Sequence, residues 1–424
     1  MWYYIENGQR MGPVSFEEIV NLINQGSIKE TTFVWQSGKM RQTAGMSPEL
    51  LPYLRNATSV STGNYTTGSY TSVKQKAAGV SGGIFGKLKE STGVGQMEGF
   101  SFSDMFSEMF KKHTDEEMEN YFGVGFPATT PPLSQVSASW PKPWFFMRLI
   151  LFGLLGFYLL WFGYTKWDNP NCAPGAIFFG SFAIPLASVM FFFECNVLRN
   201  VSLYQVIKLF LYGGTFGLIF ALAGFDFMPF AKELGATRAG LVEEPAKLLV
   251  LILILKMGGL KNKNYILNGL LCGAAVGAGF AAFESAGYAF SVFERDTLRA
   301  VGEMLDNIYY YGKSIVTIDP KTAMYNNLVM RGLLSPFGHI IWTGMSAAAL
   351  WRVKGDQEFE FSMLFNPLFL IVFAIAVVLH MVGNSHLFLF WGYYPREFVL
   401  GTIGWLVIFG LMGIGLRQVR QGIQ

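Results

Sequence analysis

The chain has 424 residues, of which 51% are hydrophobic and 14% charged, against about 25% charged in an average soluble protein. A formal net charge of +3 is too small for a nucleic-acid footprint, and three isolated cysteines, Cys172, Cys195 and Cys272, argue against a disulfide framework or a thiolate metal site. Apolar residues concentrate from Trp144 onward, where long apolar runs alternate with short polar loops. The expected fold class is an all-α polytopic membrane protein of about eight transmembrane helices with a small soluble α+β domain at its N-terminus.

The opening Met1-Trp2-Tyr3-Tyr4 has no basic region and no apolar core of a signal peptide, so the first apolar span is expected to direct the chain to the membrane. Trp2 to Ile5 reads as a strand, Asn7-Gly8 as a hairpin turn and Gly12-Pro13 as the end of a second strand. Ser15-Phe16-Glu17-Glu18 is a capping box; the helix it opens runs to about Gln25, where Gly26 can stop it. Thr31 to Trp35 reads as a further strand, with Ser37-Gly38 turning after it. In its Trp2-Tyr3, Gly12-Pro13, short helix and Val34-Trp35 strand, the segment 1–54 resembles the bacterial GYF-like domain. That resemblance implies an adaptor holding a Pro-rich or extended peptide in an aromatic groove lined by Trp2, Tyr3, Tyr4 and Trp35. An aromatic core with no ligand is the other reading of the same residues.

Residues 55–140 are expected to form a flexible linker, rich in Ser, Thr and Gly up to about residue 96. Near 100–112, Phe102, Met105, Phe106, Met109 and Phe110 follow helical spacing, which predicts an amphipathic helix lying on a membrane, on a partner or on the protein's own body. His113 is read as solvated. Pro127, Pro131 and Pro132 make a short extended stretch that offers the N-terminal module an internal ligand.

The remainder, 141–424, divides into spans near 144–164, 174–193, 203–225, 239–257, 265–290, 328–351, 367–391 and 398–416. With the N-terminus inside, the short inner loops collect most of the basic residues, among them Arg148, Arg199, Lys256, Lys261, Lys263 and Arg352, so both termini are expected in the cytoplasm. The stretch from about Ser291 to Asn327 then forms a long outer loop.

Polar groups interrupt four of these spans. Glu243 and Glu244 sit side by side in Glu243-Glu244-Pro245-Ala246-Lys247, ahead of the apolar run Leu248 to Leu255. A charge near the bilayer centre costs ~2.5–3.5 kcal/mol, so these groups must face protein or water. Adjacent helical residues point about 100° apart, so at most one of the two glutamates aims at a common centre. Lys247, i+4 from Glu243 and i+3 from Glu244, is close enough to neutralise one of them, and Pro245 is expected in the first turns of the span. Glu284 lies about 9 Å below the outer end of the fifth span, His339 about 16 Å into the sixth, and His380 and Asn384 about 16 and 10 Å into the seventh. A carboxylate in a partly dry cavity can take a proton from water. His380 and Asn384, four residues apart, share a helix face and can hold a metal or donate to an oxyanion. Glu284, His339 and His380 together offer three zinc ligands and leave a position for water, although no HExxH is present; Glu284 can equally pair with Arg331. His386 is read as interfacial beside Trp391.

At Glu243-Glu244-Pro245-Ala246-Lys247, Phe280-Ala281-Ala282-Phe283-Glu284, His339 and His380-Met381-Val382-Gly383-Asn384 the sequence resembles the PrsW family of intramembrane proteases, relatives of the CAAX prenyl endopeptidase and Abi group. The CAAX branch shows EExxxR and FxxxH, and Lys247 and Glu284 here favour the PrsW branch. The resemblance implies cleavage of a membrane-anchored protein such as an anti-sigma factor near the outer face of a bacterial cytoplasmic membrane. It gives Glu243 the leading water-activating role with Glu244 beside it, and lets His380 and Asn384 bind metal or stabilise the oxyanion. Zinc and a metal-free glutamate mechanism both stay open. A proton-coupled transporter and a non-catalytic scaffold signalling through the N-terminal module are the rival readings.

Overall fold

The structure, a computed structural model, describes residues 2–6, 9–25, 27–29, 32–36, 42–44, 47, 49–50, 52–54, 84–93, 97, 99–311, 319–387 and 392–423. Two units, Met1–Val80 and Ser81–Gln424, divide the chain. The first carries β1 (Trp2–Glu6), β2 (Gln9–Val14), α1 (Phe16–Asn24), β3 (Phe33–Gln36) and β4 (Gln42–Thr43). The strands form an antiparallel sheet in the order β2-β1-β3-β4. Side chains alternate across β1, so Trp2 and Tyr4 point inward with Val34 and meet Ile19 and Ile23, one turn apart on α1. Tyr3 points the other way and stacks on its cross-strand partner Trp35, with ring centroids 5.6 Å apart.

The Ser15 capping box forms: Ser15 Oγ accepts the Glu18 N–H at 3.1 Å and Glu18 Oε2 accepts the Ser15 N–H at 2.7 Å. The second bond favours the ionised carboxylate and holds the Glu18 pKa below its usual value. Strand β2 does not end at Gly12-Pro13 but continues to Val14. Gly12 has φ +105°, and a Cβ there would lie 2.6 Å from the Trp2 carbonyl oxygen, where the register with β1 shifts. Glycine is what lets the strand pass this irregularity. The expected turns at Asn7-Gly8 and Ser37-Gly38, the stop at Gly26 and the linker over 56–83 lie outside the described residues.

The second unit opens with α2 (Ile84–Thr92), α3 (Phe102–Met105) and α4 (Asp115–Phe122). Residues 84–140, expected in the linker, pack here against the apolar helices. The predicted amphipathic helix is a single turn, because Ser107 Oγ donates to the Asp104 carbonyl at 2.7 Å and competes with helix propagation. Met105 is buried, with Phe106 and Met109 on the same core, while Phe102 and Phe110 are 63% and 79% exposed. The segment therefore docks on its own body. His113 is not solvated but stacks on Trp144 at 3.8 Å.

The helices that follow are α5 (Phe145–Lys166), α6 (Ala173–Cys195), α7 (Leu203–Phe227), α8 (Ala239–Lys256), α9 (Ile266–Tyr311), α10 (Pro320–Leu334), α11 (His339–Lys354), α12 (Pro367–Gly383) and α13 (Tyr393–Ile423). Among the described residues, six helices or joined helix pairs are long and apolar enough to cross a membrane. The fourth and seventh expected spans are α8, which carries Glu243, Glu244, Lys247 and Lys256, and α12, at 17 residues. The chain is an integral membrane protein.

Two expectations change. Among the described residues, the stretch expected as a long outer loop is largely helical: α9 runs on to Tyr311 and α10 starts at Pro320, its first N–H groups capped by Asp319. The sixth span is not one helix. A 3-10 turn over Ser335–Phe337 and a non-helical Gly338 break it, and His339 becomes the first residue of α11. Pro336 has no N–H to continue the α10 ladder.

Helix α9 is the hub, packed by α6, α7, α10 and α11. Its small residues permit close approach: a Cβ on Gly279 would lie 1.8 Å from the Phe210 oxygen of α7, and one on Gly277 2.4 Å from the His339 oxygen.

Candidate active site

Helix α8 lies against α7 and α12 and also touches α9 and α11. Pro245 falls inside this helix rather than in its first turns, so the Leu241 carbonyl lacks its usual intrahelical donor. The two glutamates separate as adjacent helical positions must. Glu244 points into protein: its Oε1 accepts from Lys247 Nζ at 2.5 Å and faces His380 Nδ1 at 2.8 Å. Glu243 points into a cavity of about 760 Å³ that Glu284, Arg331, His339, His380 and Asn384 also line.

The His339 position follows from α9. Gly277 and Glu284 are two turns apart on one face. The first accepts the His339 backbone, and the second faces His339 Nε2 through Oε2 at 3.1 Å. Arg331, at the end of α10, pairs with the same Glu284 oxygen and donates to Ser285 Oγ at 3.1 Å. Lys247 is fully buried and lies 2.9 Å from His339 Nδ1, with its ammonium 4.7 Å from the centre of the Phe280 ring. Trp342, one turn into α11, stacks on His380 at 4.4 Å and meets His339 edge-on at 5.3 Å.

These contacts select tautomers. An ionised carboxylate only accepts, so Glu244 requires a proton on His380 Nδ1, and Glu284 one on His339 Nε2. The remaining ring nitrogens, His380 Nε2 and His339 Nδ1, then carry lone pairs, 3.7 and 3.9 Å from Glu243 Oε2. That oxygen is buried and has no hydrogen-bond partner among the described residues. The unpartnered Glu243 Oε2, beside the His380 Nε2 lone pair, is what a proton, a water or a cation would satisfy, whereas His339 Nδ1 already accepts from Lys247 Nζ at 2.9 Å. The donor atoms of Glu243, His339 and His380 all lie within 4.8 Å of one another.

The structure thus brings Glu243, Glu244, Glu284, His339, His380 and Asn384 into one region, but sorts them differently from the sequence reading. Glu284, expected among the metal ligands, is engaged by Arg331 and His339, and the group whose donor atoms lie within 4.8 Å of one another is Glu243, His339 and His380. Asn384 is the residue that ends α12 and lies at the cavity wall. Among the N-terminal aromatics expected to line a groove, Trp2 and Tyr4 are core and only the Tyr3–Trp35 pair lies on the other sheet face. His386 is exposed, and Trp391 lies outside the described residues. Sequence reading missed Trp342, whose only signal is its spacing from His339, and Arg396. The latter falls between the seventh and eighth expected spans yet is buried, with Nη2 donating to the Gly383 carbonyl at 2.6 Å and Nη1 to that of Ser385 at 2.7 Å.

A membrane-embedded cavity that gathers carboxylates and imidazoles defines a hydrolase-type site within a polytopic membrane protein. Comparison with known families agrees: residues 202–412 match the model of the PrsW family intramembrane metalloproteases, and residues 2–50 match GYF domain 2. The membrane unit therefore belongs to the PrsW family and is an intramembrane protease, with a GYF domain ahead of it. No curated protein and no solved structure matches the chain. The family description includes a metal, and the unpartnered Glu243 oxygen beside the His380 lone pair fits one, with His339 within reach but engaged by Lys247.

Proposed function

We propose that this protein cleaves a membrane-anchored protein, of the anti-sigma-factor type, near the outer face of a bacterial cytoplasmic membrane, with both termini in the cytoplasm. The observation that carries the reading is Glu243 Oε2, buried and unpartnered between His339 and His380. Glu243 is the proton acceptor. Water loses a proton to its carboxylate and attacks the scissile carbonyl carbon; the carbon–nitrogen bond then breaks, and the proton passes from Glu243 to the leaving amine. Asn384, on the cavity wall, donates to the oxyanion. Glu244 holds His380 with its lone pair toward Glu243, and Lys247 with Glu284 engages both ring nitrogens of His339 and fixes that ring beside Glu243.

Zinc is the metal this donor set suits, with Glu243, His339 and His380 holding it. When bound, it acidifies water and polarises the carbonyl. The other carboxylate oxygen of Glu243 stays available for the proton. The N-terminal domain recruits Pro-rich or extended peptides through the Tyr3–Trp35 face.

The test is co-expression of single-span membrane proteins with wild type, Glu243→Gln and Glu244→Gln, with fragments read by mass spectrometry. Glu243→Gln is expected to lower cleavage by about 10²–10⁴-fold. Unchanged fragments from Glu243→Gln would overturn the assignment.

A further inference from the structure

One cation in the cavity is unaccounted for by this chemistry. Arg238 precedes α8 and lines the same cavity as Glu243. Its guanidinium lies 4.8 Å from the centre of the Phe225 ring, and its Nη1 is buried with no hydrogen-bond partner among the described residues. Arg331, the other guanidinium there, is engaged: it pairs with Glu284, donates to Ser285 and lies 4.4 Å from the Tyr288 ring centre. Of the two acids on the cavity wall, Glu284 is taken by Arg331 and His339, and Glu243 faces the imidazoles. Beside Arg238 the wall is apolar, made by Leu218, Leu222 and Phe225. A buried guanidinium N–H without an acceptor is costly, and the ligand that best satisfies it is a carboxylate, which can accept two parallel bonds.

We infer that Arg238 is a specificity-determining residue that binds an Asp or Glu side chain of the substrate. The inference rests on the protease reading and adds to it a rule about sequence. Arg238 and Glu243 are separated by about 7.5 Å along the helix axis. An extended chain rises about 3.3–3.6 Å per residue, so the acidic residue lies about two residues from the scissile bond. Apolar residues next to it meet Leu218 and Leu222.

The experiment uses the full chain in lipid nanodiscs and three single-span peptides, identical except for Asp, Asn or Lys at one outer position. Binding is read by photo-crosslinking to Glu243→Gln, and cleavage by mass spectrometry with an otherwise wild-type site. The Asp peptide is expected to crosslink about tenfold or more above the Asn peptide, as for a charge-assisted hydrogen bond, with cleavage about two residues from the Asp. Arg238→Gln should lower crosslinking of the Asp peptide to the level of the Asn peptide, a larger loss for Asp than for Asn, and Arg238→Glu should shift the preference to Lys. An Asp, Asn, Lys order that survives Arg238→Glu overturns the inference. So does an equal loss of Asp and Asn binding in Arg238→Gln, which marks a structural role. So does an effect of Arg238 that follows only the anionic lipid content of the nanodisc. Charge-dependent crosslinking without any Glu243-dependent fragment would keep the binding rule and overturn the protease reading instead.

Discussion

His380 Nδ1 lies 2.8 Å from Glu244 Oε1, a contact between α12 and α8 across 136 residues of sequence, and the same oxygen accepts from Lys247 at 2.5 Å. Glu244 thus sets the orientation of the ring whose far nitrogen faces Glu243. Replacing Glu244 by Gln keeps an acceptor but removes the charge. Catalytic rate or zinc affinity is expected to fall by about 10–100-fold, less than for Glu243→Gln. Steady-state cleavage and zinc titration of both variants check the order.

Gly277 gives a prediction about backbone position. A Cβ there would come 2.4 Å from the His339 carbonyl oxygen, so Gly277→Ala must push α11 away from α9. A displacement near 1 Å at a reacting centre costs about 10²-fold in rate. Cleavage should drop by that order while the protein still purifies as a single species; an active Gly277→Ala variant would show that His339 is not held through this contact.

Arg396 wraps the end of α12 through the Gly383 and Ser385 carbonyls and pairs with Glu397 at 2.6 Å. Arg396→Gln leaves Glu397 buried without its partner, a loss of about 3–5 kcal/mol for a broken buried pair. A lower unfolding temperature together with a reduced kcat is expected, and Arg396→Lys should recover part of both. A thermal shift with unchanged kcat would separate this clamp from Asn384 and His380.

Metal removal offers an independent check. Incubation with a zinc chelator should abolish cleavage, and added zinc should restore it. In Glu243→Gln, His339→Ala and His380→Ala the bound zinc, measured by elemental analysis, should fall, whereas Glu284→Gln should retain more of it, since Glu284 is engaged by Arg331.

The N-terminal unit separates core from surface. Trp2→Ala removes a buried ring and is expected to cost about 3–5 kcal/mol, unfolding the unit. Trp35→Ala should leave it folded and weaken binding of a Pro-rich peptide. Circular dichroism and peptide titration distinguish the two.

The chemistry of α8 is legible in the sequence because apolar runs do not tolerate Glu243, Glu244 and Lys247 without partners. Which glutamate faces the cavity is not legible, since it depends on the rotation of α8. Gly240 sets that rotation by packing against Val377 and Met381 of α12. The break before His339 has a signal in Pro336 and Gly338, yet the apolar run around them hides it. The exchange of Glu284 for Glu243 in the donor set depends on Arg331, which sits 47 residues from Glu284. The helix near 102–110 fails for a local reason, the Ser107 hydroxyl, that hydrophobic spacing does not register.

Lys247 and Glu244 also bear on how the chain is made. Helix α8 leaves the ribosome with three charges in its outer half, and the imidazoles that complete its network follow 92 residues later from Lys247 and 136 residues later from Glu244. Lys247 and Glu244 match each other within the helix at 2.5 Å, which leaves Glu243 as the charge that opposes partition into lipid by ~2.5–3.5 kcal/mol. The cost is expected to delay settling of α8 in the bilayer until His339 and His380 have been synthesised, so that the reacting centre assembles late. A nascent chain arrested before His339 should therefore leave α8 accessible to water-soluble thiol labels that a finished chain excludes.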